Sequence, residues 1–251
     1  MSAGAGSFAY AQARMQARLG QRISGDDLQR ARAARDLPAY LQQVRSTALA
    51  RHVARIAVDT DAHEIERRLR EQWGATVEEV ARWQPLAWRP ATIWLRWLPY
   101  LPALQKLARG GRVPAWTRED PLLARVVAAA PGRRAGVLGG TVLEPLQRAV
   151  AAHGDVGSAW LDHWRSLWPH EPAVRVALER MLRDVTIVAA SLDAADARAT
   201  SAGTLRVLGR RLLRAFRRNP LSPVAAFAWL GLEALDQLEL RGAIAMRKAL
   251  G

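Results

Sequence analysis

The amino-acid sequence predicts an all-α protein. Ala, Leu, Arg, Glu and Gln dominate it, and these are the strongest helix formers. No stretch alternates β-branched with polar residues, as a half-buried strand would. Pro and Gly gather in clusters that cut the chain into helical segments.

Taken in order, a first helix is expected from about Phe8 to Leu19, ended near Gly20. Ser24 is the expected N-cap of a second, with Asp26 and Asp27 in its first turn, where they complement the helix dipole. A third begins near Asp36-Leu37-Pro38. Asp61 is placed to cap the next helix, and Glu64, three residues on, approximates a capping box. That helix runs past Trp73, with Gly74 expected to kink or split it before Trp83. Pro85 and Pro90 break the chain again. Beyond Gly110-Gly111, a short apolar helix is expected over Pro121 to Ala129, then a connecting loop, PGRRAGVLGG. Helices near Val142 to Ala152 and Gly157 to Trp168 follow. Pro172 opens the longest helical stretch, to about Ser191, before an Asp-Ala-rich joint. Ala199 to Arg218 forms another helix, and Pro220 and Pro223 lead into a terminal helix that reaches almost to Gly251. The whole reads as one all-α domain, 1–251, divisible into lobes of about 1–110 and 111–251.

The segment WLRWLPYLPALQKLARGG carries Trp94, Trp97, Leu98, Leu101, Leu104 and Leu107 at spacings of three and four. That is the stripe of a helix with one buried face, bent or split by Pro99 and Pro102. Its tryptophans are therefore expected in the core. A membrane span is excluded, because a spanning helix needs ~20 mostly apolar residues and Arg96, Lys106 and Arg109 interrupt this run. MSAGAGSFAYAQARMQARLG also lacks the apolar centre of a secretory signal.

The formal charge is +14, and 37 Lys and Arg face 23 Asp and Glu. Such a surplus favours acidic partners: a protein face, anionic lipid or nucleic acid. With no Cys, disulfides and thiolate metal sites are excluded.

Catalytic and metal patterns fall short. Asp59, Asp61, His63 and Glu64 are metal-ligand types in one cluster, but HEIER has Arg67 where HExxH needs its second His. Capping already explains Asp61 and Glu64. PGRRAGVLGGT has glycines and positive charge but no Gly-Lys-Ser/Thr after a strand, so it reads as a connection. His52, His153, His163 and His170 have no matched Ser, Asp or Cys constellation. No catalytic residue, cofactor site or metal site is expected.

The strongest local signal is TLRVLGRRLLRAFRRNP. Arg206, Arg210, Arg214 and Arg217 fall at i, i+4, i+8 and i+11, on one helix face. Leu205, Leu208, Leu212 and Phe216 form a second, apolar stripe. No acid lies between Arg198 and Glu233. The basic face is either a solvated surface or a docking face for something acidic, and the four arginines are the candidate partner-binding residues.

Four segments together resemble the C subunit of archaeal and bacterial V/A-type rotary ATPases, called subunit d in eukaryotes. FAYAQARMQARLG is similar to that family's opening Tyr and Ala-Arg helix. DLPAYLQQVRSTAL is similar to the short Leu-containing helix that follows and ends near a Thr. LPALQKLARGG stands where members carry Asp-x-x-Asn-Leu-Lys-x-x-Leu-Arg-Gly. Leu104, Arg109 and Gly110 fit, Leu107 falls one residue early, and Tyr100 and Ala103 replace the Asp and Asn. NPLSPVAAFAWLGLEALDQLELRGAI resembles the closing helix through Phe227, Glu233, Asp236, Leu240 and Arg241. LARGG and LELRG also echo each other.

The resemblance implies a funnel-like bundle of related helical lobes, shorter here than in most members. It implies a non-catalytic central-stalk adapter, peripheral on the cytoplasmic face of a membrane. Such an adapter links the rotor shaft subunits to the proteolipid ring and transmits torque for ion transport, without a cofactor. The alternative reading is a basic helical nucleic-acid-binding protein, although no zinc-finger pattern, RNP motif or recognition-helix pair is present.

Overall fold

The computed structural model describes residues 3–23, 25–193 and 199–250, with side chains described outside 3–7 and 187–202. Among these residues there is no strand; the chain is helical throughout. The α-helices are α1 (Ala3–Gly20), α2 (Gly25–Ala33), α3 (Leu37–Arg45), α4 (Ala50–Val53), α5 (Ala62–Trp83), α6 (Arg89–Trp94) and α7 (Leu101–Ala108). They continue as α8 (Ala124–Ala128), α9 (Arg134–Gly139), α10 (Gln147–Ala151), α11 (Val156–Ser166), α12 (Pro172–Asp193), α13 (Ala199–Arg218) and α14 (Pro223–Leu250). Short 3-10 turns link several of them.

Local sequence explains the helix starts. Asp36 accepts a hydrogen bond from the Ala39 amide at 2.9 Å and opens α3. Asp61 accepts from His63 and Glu64 amides at 2.8 and 2.9 Å and opens α5. Asp155 does the same for Gly157 at the start of α11. Each cap satisfies an amide that the first turn leaves without a partner. Glu64 does not close a capping box; its carboxylate goes to Arg67 and Arg68 instead. Ser24, the expected cap of α2, lies outside the described residues.

The sequence reading needs four corrections. Gly74 neither kinks nor splits α5, which is continuous over 22 residues. Its missing Cβ matters differently: a Cβ there would meet the Arg96 side chain at 3.4 Å, so Gly74 lets that chain lie along the helix. PGRRAGVLGG is not a loop but a 3-10 turn, Pro131–Arg133, running into α9. Pro131 at a first-turn position starts a helix as readily as proline ends one, and the fully buried Leu138 anchors the result. The helix expected over Pro121 to Ala129 shrinks to α8, because Asp120 turns back to accept from the amides of Leu122 and Leu123. Finally, α14, not α12, is the longest helix, at 28 residues.

α14 organises the molecule. Every residue from Pro223 to Leu230 is buried, and α1, α5, α12 and α13 all pack on it. α13 runs back along it: Leu212 lies against Gly231, and Leu235 against Gly209. A Cβ on Gly231 would come within 3.0 Å of Leu212 Cδ1, so glycine permits this approach. Around the start of α14 stands a shell of indoles. Trp229 faces Trp83 with ring centroids 6.5 Å apart, and Phe227 takes the edges of Trp88 at 6.1 Å and Trp164 at 4.9 Å. Trp160 and Trp164, one turn apart on α11, stack, and Trp168, just past its end, meets Trp164 edge-on. Nine of the ten tryptophans are buried, and Trp97 is half-buried. Several indole N–H groups find backbone partners. Trp73 donates to the Leu95 carbonyl at 2.8 Å, and Trp164 to that of Ala91 at 2.8 Å. The expectation that the tryptophans form the core holds. The stripe from Trp94 to Leu107 is broken into α6, a 3-10 turn at Leu95–Tyr100 and α7, with Pro99 inside the turn.

A second, smaller core gathers Leu37, Tyr40, Leu41, Val44 and Val53 from α3 and α4 against Ile65 and Leu69 of α5 and Leu240 and Ile244 of α14. Polar groups tie it down. The Arg247 guanidinium, buried on α14, stacks on Tyr40 at 4.2 Å and donates to the carbonyls of Arg32 and Ala34 at 3.0 and 2.7 Å. It thereby satisfies carbonyls that the end of α2 leaves free. About four turns earlier on α14, Glu233 is buried between Arg51 and His52, with His52 Nε2 3.3 Å from its carboxylate. Burial pushes the Glu233 pKa up. Hydrogen bonds and charge from His52 and Arg51 outweigh that and hold it below the ordinary value. At Asp236 burial wins despite the Arg22 fork, and its pKa is raised.

Three outcomes follow from this packing. Trp164→Ala empties the centre of the aromatic shell and is expected to cost about 3–5 kcal/mol in denaturant unfolding. Arg247→Ala removes the clamp on α2 and is expected to cost about 2–3 kcal/mol, with hydrogen exchange speeding at α2 amides before those of α11. Glu233→Gln is expected to lower stability at neutral pH by about 1–3 kcal/mol. The depressed Glu233 pKa gives stability that is present above the unfolded carboxylate value of ~4.3 and lost as pH falls through the folded value. The variant should therefore lose less than wild type on acidification. Asp236 acts with the opposite sign, so the comparison must be made between variant and wild type at each pH.

Candidate functional site

α13 is built as a two-faced helix. Leu208, Leu212 and Phe216 are buried and Leu205 half-buried, all facing the core. The opposite face carries Arg206, Arg210, Arg214 and Arg217, and all four are exposed. The structure thus sets the four predicted arginines on one outward row. Arg210, Arg214 and Arg217 make no hydrogen bond or ion pair among the described residues.

Many arginines elsewhere are paired. Arg18 pairs with Glu79, Arg22 with Asp236, Arg32 with Glu239, Arg51 with Glu233, Arg96 with Glu78, and Arg165 with Glu179. Other arginines lie over indoles, as Arg70 does on Trp116 at 3.5 Å. Many arginines are thus spent on internal contacts, while Arg210, Arg214 and Arg217 have no partner among the described residues.

Sequence reasoning missed the neighbouring helix. α12 runs antiparallel beside α13, with Asp184 taking the Arg211 guanidinium at 3.3 Å. Ala177, Arg180, Met181 and Asp184 of α12 face Arg211, Arg214, Ala215 and Arg218 of α13 across a recess of about 380 Å³, with Asn219 at its end. The three- and four-residue spacing of the α12 set was present in the sequence, but nothing in it said which helix that face would meet.

A larger cleft of about 500 Å³ lies between α5 and the 3-10 turns at Leu95–Tyr100 and Ala115–Arg118. Its aromatic wall is filled from within, since the Arg70 guanidinium lies on Trp116 and is 3.1 Å from Glu66. The Tyr100 hydroxyl donates to Asp120 at 2.9 Å; burial, then the Asp120 charge, pushes its pKa up to about 12. Tyr100 is therefore a donor at any physiological pH. His63 and Glu64 sit at this cleft's edge. Asp61 spends its carboxylate on the α5 cap. Among the described residues no three of His, Asp and Glu converge as a metal-binding set.

The other histidines are placed structurally. His52 lies between Glu233 and Gln237. His153 takes a left-handed turn, φ 54°, with Nδ1 on the Ala108 carbonyl. His163 stands edge-on to Trp94 at 4.4 Å, and burial lowers its pKa. Among the described residues no helix is long and apolar enough to cross a membrane.

No protein-family model, curated protein or solved structure matches the chain.

The double variant Arg210→Glu/Arg214→Glu should fold as wild type does, because both side chains point outward without ion pairs. Its thermal midpoint should match wild type or exceed it slightly, since like-charge repulsion along a helix face costs about 0.2–0.5 kcal/mol per pair.

Proposed function

We propose that the chain is a non-catalytic helical adapter that docks an acidic protein face against the arginine row of α13. The observation that carries this reading is the contrast in charge pairing. Many arginines elsewhere in the molecule are matched with carboxylates or aromatic rings, whereas Arg210, Arg214 and Arg217 project together from one helix face without a described partner. Charges left in such a row raise encounter rates with an oppositely charged surface and fix its orientation.

The resemblance of four segments to the C subunit of V/A-type rotary ATPases supplies the partners. On that reading the chain links the rotor shaft subunits to the proteolipid ring on the cytoplasmic face of the membrane and transmits torque for ion transport. A close-packed aromatic interior supports the mechanical role, because such interiors have low compressibility and pass strain on.

The test is assembly. The full chain is co-expressed with the shaft and proteolipid subunits of a rotary ATPase, and recovery of the complex is compared between wild type and Arg210→Glu/Arg214→Glu. Wild-type recovery with loss in the folded variant supports the adapter. Equal recovery of both, or of neither, removes it. Retention of a nucleic-acid duplex at moderate salt, lost as salt rises, would favour the nucleic-acid reading that the +14 charge also permits.

A further inference from the structure

We infer that the recess between α12 and α13 is a binding site for a phosphoryl group. The inference does not depend on the adapter reading, because the recess opens beside the outward row and shares only Arg214 with it.

The recess exists because small residues meet there. Ala177 of α12 and Ala215 of α13 both line it, where larger side chains would narrow the gap, and Met181, nearly fully buried, lines it with them. Around the opening stand Arg180 from one helix and Arg211, Arg214 and Arg218 from the other. Asp184 is the only acid in the lining, and it holds Arg211 at 3.3 Å, which orients that guanidinium. Arg180, Arg214 and Arg218 have no ion-pair or hydrogen-bond partner among the described residues. Asn219 spends its amide N–H on the Ala215 carbonyl at 2.8 Å, so it does not neutralise the site.

Four guanidiniums around one cavity repel one another and cannot relieve this by losing protons, since arginine stays charged in proteins. An anion would relieve it. The arrangement selects the kind of anion. One carboxylate presents a flat pair of oxygens that a single guanidinium fork can satisfy. Forks approaching from two helices match the several oxygens of a phosphoryl group. Size selects as well. A cavity of about 380 Å³ admits a phosphate or diphosphate group, but a helix with its side chains, ~10 Å across, does not enter it. The phosphoryl group can come from a soluble phosphorylated molecule or from a phosphorylated lipid headgroup.

The full chain would be titrated calorimetrically with inorganic pyrophosphate at fixed ionic strength, and in parallel sedimented with phosphatidylcholine vesicles that do or do not contain a phosphoinositide. Saturable binding is expected, weakened about tenfold or more in Arg180→Ala/Arg218→Ala and kept within a few-fold in Arg210→Glu/Arg217→Glu. A cooperative thermal transition shows that each tested protein is folded, and its midpoint should rise on adding pyrophosphate in wild type but not in the first variant. Binding of pyrophosphate in solution points to a soluble ligand. Binding to phosphoinositide vesicles alone points to a lipid. Either supports the site. Binding to neither, or equal binding by Arg180→Ala/Arg218→Ala, overturns it. Assembly is compared as well in Arg210→Glu/Arg217→Glu, which leaves the recess lining intact, so the two can fail separately.

Discussion

The burial of α14 on all sides over Pro223–Leu230 is the constraint from which the fold follows. A helix in the centre of a bundle must be apolar all round, and VAAFAWLGL meets that requirement with alternating small and large residues. The alanines admit close neighbours, while Phe227 and Trp229 reach into the aromatic shell formed by α5, α11 and the segment between them. Gly231 then admits Leu212 of α13. Because α13 is held by its apolar face, its arginines are committed to the outside, and α12 follows α13. The basic row and the recess are thus consequences of how the first two turns of α14 are packed.

Farther along, α14 changes character. Its second half carries Glu233, Asp236, Gln237, Arg241 and Arg247 between apolar residues, and it meets α2, α3 and α4 through a smaller core. Here buried charge is tolerated because each group finds partners: Arg51 and His52 for Glu233, Arg22 for Asp236, and three backbone carbonyls of α2 and its exit for Arg247. Buried pairs of this sort contribute little net stability over apolar packing, but removing one partner costs heavily. The seam therefore fixes which arrangement of α2–α4 is adopted more than it strengthens it. α5 runs through both cores and ties them mechanically.

The distribution of arginine links structure to function. Guanidinium groups serve as clamps on carbonyls, covers for indoles and partners of carboxylates through most of the molecule. On α12 and α13, Arg180, Arg210, Arg214, Arg217 and Arg218 lack those partners among the described residues, and this local cluster, rather than the total charge, marks the surface. Composition alone could not make that distinction, since paired and unpaired arginines look alike in a sequence.

Short-range chemistry was readable before the fold was known. Asp36 and Asp61 announce helix starts because a carboxylate three residues before an amide can cap it whatever surrounds them. The bounds of α13 and the division of its faces follow from periodicity, and burial of the tryptophans follows from the sheer apolar area of indole. The misreadings have a common origin. Pro131 and Gly74 are ambiguous locally: proline both ends and begins helices, and glycine either bends a helix or admits a neighbour. Only Leu138 in the core and Arg96 along α5 decide between these. Likewise, nothing near Arg180 in the chain says that it will face Arg214 and Arg218, and nothing near Ala33 says that Arg247 will close the end of α2. Helix type, capping and facing are set by residues a few positions apart, and so lie within reach of sequence. The recess, the Arg247 clamp and the exposure of Arg210, Arg214 and Arg217 without partners among the described residues depend on how distant segments meet, which is settled only once α14 has drawn those segments together.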